Sequence, residues 1–187
     1  MSEDEFVPRP AFTIDWLRQY DCGPSDAHLH AIGQFIANYS CVEWQLSGLF
    51  GHFLGIDEAE RYQLISDGNI SMAGMTRFVL TKLTEIASTY PASAKEMQSA
   101  LRKFEALSKV RHRIVHWQWG LGGSNAATQS NLIRPRKGSA DAILELTDLR
   151  NHCLELMKIF ESLNLNFLVI SGQCSRNEIL AMRKSSR

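Results

Sequence analysis

What the chain lacks narrows the field first. Its 187 residues contain no glycine-rich phosphate loop of the P-loop or Rossmann kind and no Gly-x-Ser-x-Gly elbow, so the common nucleotide-binding and serine-hydrolase signatures are missing. The four cysteines, Cys22, Cys41, Cys153 and Cys174, make no C-x-x-C pair and no zinc spacing. Charge of either sign is not in excess: 20 Lys and Arg stand against 20 Asp and Glu. A general nucleic-acid coat is usually basic overall, so any RNA contact has to rest on local basic patches. No apolar run approaches the roughly 20 residues of a membrane span. Ser2-Glu3-Asp4-Glu5 places acid where a secretory leader carries base. These absences predict a cytoplasmic protein with no membrane association and with reduced, mostly buried thiols. Repeats and low-complexity linkers are also missing.

What is present is helical periodicity. Residues 1–24 hold three of the five prolines and read as an extended arm. Ser25 or Asp26 caps a long helix running to about Leu54. Its apolar positions, among them Phe35, Tyr39, Val42, Leu46 and Leu49, keep three-and-four spacing. Asp57 with Glu60 reads as a capping pair for a short helix to about Ile65. A third helix spans about Ser71 to Ser88. Ser93 with Glu96 reads as the capping box of a fourth, whose stripe is Met97, Leu101, Phe104, Leu107, Val110 and Ile114. Trp117, Trp119 and Leu121 alternate like a strand and open a short hairpin or flap. Thr147 or Asp148 starts the last long helix. The expected fold is all-α: an antiparallel bundle of four to five helices with a flap after the fourth. The expected organisation is an arm (1–24), a helical domain (25–175) and a frayed basic tail (176–187).

Two charges break the apolar faces. Glu43 lies at the edge of the first helix's stripe, and Arg111 lies inside the fourth helix's stripe. Neither is tolerable there alone, so the two are expected to pair across the bundle. Arg111 also opens the densest chemistry in the chain, Arg111-His112-Arg113-Ile114-Val115-His116-Trp117-Gln118-Trp119. Histidine exchanges protons near neutral pH. Arginine is a permanent cation whose planar fork fits phosphate oxygens.

Arg111, four residues and His116 resemble the Arg-x(4–6)-His signature of the HEPN superfamily, and His112 stands where that family often carries a second polar residue. The resemblance covers about residues 25 to 170, and Glu43 is the candidate for the polar companion on an early helix. It implies metal-independent endoribonuclease chemistry without a cofactor, in a toxin or defence component. His116 would act as general acid or base and Arg111 would stabilise charge on the phosphorane, with His112 and Glu43 in support. Such proteins usually pair as homodimers around a shared cleft, and a toxin would have an antitoxin-like protein partner. Residues five apart on a straight helix point about 140° from each other. Convergence of Arg111 and His116 therefore needs a helix end, a reaching side chain or a second subunit.

Each functional residue has a plainer reading. Arg111 can be a structural ion-pair partner and His116 a helix-end cap. His112 and His116, at i and i+4, could instead share a metal ion, although no third ligand is singled out. Arg102, Lys103, Lys109 and Arg113, with Arg134, Arg136 and Lys137 from the flap, could track phosphates, and Trp117 and Trp119 could stack on bases. Taken singly, each of these charges is more often solvated surface, and tryptophans at a helix–strand junction more often close a core. The alternative function is a catalytically inactive HEPN-like module that binds a nucleotide, RNA or a protein.

Overall fold

The computed structural model describes residues 24–121, 126–130 and 141–185. The structure is predominantly helical. Its elements are α1 (Asp26–Leu54), α2 (Glu58–Asp67), α3 (Met72–Glu85), α4 (Pro91–His116), β1 (Gln118–Leu121), β2 (Ala126–Ser130), β3 (Asp141–Glu145), α5 (Leu146–Ile170) and α6 (Arg176–Ser185). The arm, Arg134 and Arg136 lie outside the described residues, apart from Pro24.

Helix starts follow local chemistry where the sequence offers it. Ser25 caps α1 by accepting from the His28 amide, and Asp57 with Glu60 forms a reciprocal capping box on α2. The box expected at Ser93 and Glu96 does not form. Pro91, suited to a first helical turn, begins α4 earlier, and Ser93 is buried. Glu96 is instead bonded by Arg176 and by the Asn166 amide.

Helices α1, α3, α4 and α5 form the bundle. The main neighbours of α1 are α5 and α3, and these also flank α4, so α1 and α4 face each other across the diagonal. Phe35, Leu46, Leu49, Phe104, Leu156 and Leu163 are among the fully buried side chains between them. Each such burial contributes about 1.5–3 kcal/mol.

Directions follow from specific contacts. Asn38 Nδ2 donates to the Cys153 carbonyl, and one end further along His52 stands edge-on to Phe167, so α1 and α5 run parallel. Lys103 pairs with Glu155 and Glu96 with Asn166, so α4 runs against α5. Gln98 on α4 donates to Thr84 beside the short α3–α4 turn, so α3 runs against α4 and therefore along α1. An all-antiparallel bundle was the expectation. The segment carrying α2 returns the chain between α1 and α3, and that extra reversal makes α1, α3 and α5 parallel.

The flap is larger than a hairpin. Strands β1, β2 and β3 form an antiparallel meander in that order. Ala127 pairs with Leu144, and both are buried, whereas Ile143 on the alternate face is exposed. The expected frayed tail is also corrected. Residues 176–185 form α6, whose Ile179 is fully buried and whose Arg176 reaches Asn166 and Glu96. Among the described cysteines only Cys153 is buried; Cys41 is exposed and Cys174 intermediate. No helix among the described residues is long and apolar enough to cross a membrane.

Candidate functional site

Helix α4 stays α-helical through His116. The Trp117 amide still donates to the Arg113 carbonyl at 3.0 Å, and Trp117 itself turns extended. The helix therefore does not tighten before His116, and Arg111 and His116 keep the divergence of about 140° that five residues impose. They face different surroundings.

Arg111 is half-buried and faces inward, toward α1. Its guanidinium carbon sits 5.3 Å from the centroid of the Tyr39 ring. That ring is held by Phe104, 4.6 Å away between centroids, and by Phe35 at 6.0 Å. Glu43, one turn beyond Tyr39 on the same helix, is half-buried and feels the Arg111 charge. The expected direct pair is not made: among the described residues no ion pair within 4.0 Å joins Glu43 to Arg111. The guanidinium settles on the aromatic face, where attraction to the ring replaces a carboxylate contact. Two protonation equilibria record the arrangement. Burial raises the Glu43 carboxyl above its usual range, and Arg111 offsets only part of that. Burial, with a smaller push from Glu43, raises the Tyr39 phenol to about 12, against the lowering pull of Arg111.

His112 and His116 lie on the outward face and are exposed. Their ring centroids are 4.8 Å apart with planes inclined at 49°. Next to them, Lys109, His112, Arg113 and Trp117 line an open concavity of about 790 Å³, together with Ala106, Ser108 and Val110. That volume is in the range of small-ligand sites. The Arg113 guanidinium stands 6.0 Å from the Trp117 ring. The structure thus gathers His112, His116, Lys109, Arg113 and Trp117 on one face and places Arg111 and Glu43 on another.

Trp119 has a different role from Trp117. Its indole N–H donates to the Ile114 carbonyl at 3.0 Å, and the ring packs on the core. It clamps β1 to the end of α4. Lys103 is spent on Glu155 at 2.6 Å and does not join the outward face. Among the described residues no three His, Cys, Asp or Glu side chains assemble as a metal site. Cys153 points its thiol at the Ala31 carbonyl, and burial raises its pKa, which suits a packed thiol rather than a nucleophile.

Tyr39 is the neighbour that sequence reasoning left as a plain core residue. Its place in the apolar stripe of α1 signalled burial, but not that Arg111 would lie over it. No family model, curated protein or solved structure matches this chain.

Proposed function

We propose that the protein is an HEPN-type, metal-independent endoribonuclease whose proton-transfer groups are the imidazoles at the end of α4. One observation carries the reading: His112 lines a concavity with Lys109, Arg113 and Trp117, and the exposed His116 ring stands 4.8 Å from that of His112. An imidazole of the pair takes the proton of a ribose 2′-hydroxyl, whose oxygen attacks the adjacent phosphorus. The bond from phosphorus to the 5′-oxygen breaks, and an imidazolium protonates that leaving oxygen. The products are a 2′,3′-cyclic phosphate and a 5′-hydroxyl. DNA, without the 2′-hydroxyl, is inert. Lys109 and Arg113 hold flanking phosphates, and Trp117 offers a face to an unpaired base.

Arg111 points away from His116 on its own helix, so it enters the reaction from a second copy of the chain in a homodimer. There it would stabilise the charge developing on the phosphorane. A toxin or defence role follows from unguarded RNA cleavage and calls for an antitoxin-like partner.

The second reading is a binding module for RNA or a nucleotide without turnover. The inward-facing Arg111, settled on Tyr39, favours it. The test is cleavage of mixed single-stranded RNA in EDTA by the protein and by His116→Ala and Arg111→Ala. Cleavage with cyclic-phosphate ends that both variants lose by about 10²-fold or more supports the nuclease. RNA binding by a folded protein without cleavage moves the conclusion to the module.

A further inference from the structure

We infer that Tyr39 is the positioning residue of Arg111: its ring is a fixed platform that presents an uncommitted guanidinium fork to a phosphate. This rests on the reading of Arg111 as a phosphate-directed group.

Arg111 makes no hydrogen bond or ion pair among the described residues, although it is half-buried. A flexible arginine on the inward arc of a helix would ordinarily spend its donors on a carboxylate. Glu43, which feels the Arg111 charge, stays beyond 4.0 Å. The ring takes the guanidinium instead, 5.3 Å from its centroid, and the five N–H donors have no hydrogen-bond partner among the described residues. Those donors match phosphate oxygens in a planar, two-pronged geometry.

The platform itself is rigid. Tyr39 is 3% exposed and packs between Phe104 and Phe35 in the α1–α4 diagonal. A side chain held over such a ring has already lost much of its freedom, so less is lost when an anion binds. Glu43 contributes charge without contact. Burial keeps its carboxyl easier to protonate than usual, which weakens its competition with an incoming anion.

The test reads Arg111 directly. In the ¹⁵N–¹H spectrum the Arg111 Nε–Hε signal, assigned by its loss in Arg111→Lys, should carry an upfield ring-current shift. It should move on titration with inorganic phosphate and with a 2′-O-methyl oligoribonucleotide, which cannot be cleaved. Tyr39→Phe keeps the ring and should keep both the shift and the response. Tyr39→Leu should lose the shift and weaken the phosphate response by roughly three- to tenfold. The melting profile of each variant shows that the bundle is intact. An unshifted Nε–Hε signal, or equal phosphate response in the Phe and Leu variants, overturns the inference. A shifted, phosphate-responsive signal in a protein that leaves RNA uncut upholds the platform while removing the nuclease reading.

Discussion

Two inactive variants should restore each other if Arg111 and His116 work together across a dimer. The perturbation is to mix Arg111→Ala with His116→Ala at equal concentration and allow the subunits to exchange. Helix α4 is regular through His116, so the two side chains diverge by about 140° within a protomer and cannot meet on one phosphate there. In a two-fold dimer, each site then draws Arg111 from one copy and His116 from the other. A mixed dimer holds one doubly damaged site and one intact site. Random exchange makes half of the dimers mixed, so about a quarter of wild-type activity should return. Each variant alone should sit about 10²-fold or more below wild type, leaving a wide window for the measurement. The assay follows the initial rate of fluorogenic RNA cleavage as the ratio of variants is varied, with a maximum at equal amounts. Activity that never rises above the better single variant would refute the shared-site geometry. A maximum without any dimer by light scattering would refute it as well.

Other perturbations test the surroundings. Ionising Tyr39 should loosen the fold: its pKa rises from near 10 to about 12 on folding. The stability held by its neutral form is therefore complete below pH 10 and lost as pH climbs to 12. The ceiling is about 3 kcal/mol, and Tyr39→Phe should flatten that part of the curve in urea titrations. Glu43→Gln should be neutral or slightly stabilising at pH 7, by up to about 0.5 kcal/mol after solvent screening, because burial already disfavours the charge. A loss of several kcal/mol by urea denaturation would instead mean that Glu43 is an essential ion-pair partner. Arg176→Ala removes bonds to Asn166 and Glu96 at a partly exposed site, costing about 1 kcal/mol. Hydrogen exchange should then quicken in α6 before α4 or α5.

Much of the fold is written locally in the sequence. Helix periodicity places α1, α3, α4 and α5 closely because each stripe spans several turns. Asp57 and Glu60 cap α2 as read, since both ends of that interaction lie within one turn. Ser93 and Glu96 mislead for the opposite reason: the partners that claim Glu96 come from α5 and α6, far away in sequence. Helix α6 was hidden because its basic end resembles a solvated tail, and among its described side chains Ile179 marks the buried face. Strand β3 is short and runs directly into α5, so its pattern merges with a helix start. At the site, the outward histidines and the inward arginine follow from helix angles. The settlement of Arg111 on Tyr39 does not, because a wheel drawn for one helix says nothing about which ring waits on another.

The parallel union of α1 with α5 has a consequence for how the chain is made. Asn38 and the Cys153 carbonyl are 115 positions apart, and such distant pairings are slow to close. A chain emerging from the ribosome exposes the apolar stripe of α1, including Phe35 and Leu49, until α5 arrives to cover it. The interval before that last long helix appears is when the protein is most open to capture by a chaperone or to self-association. Truncation anywhere before α5 should therefore yield an aggregating fragment rather than a smaller bundle.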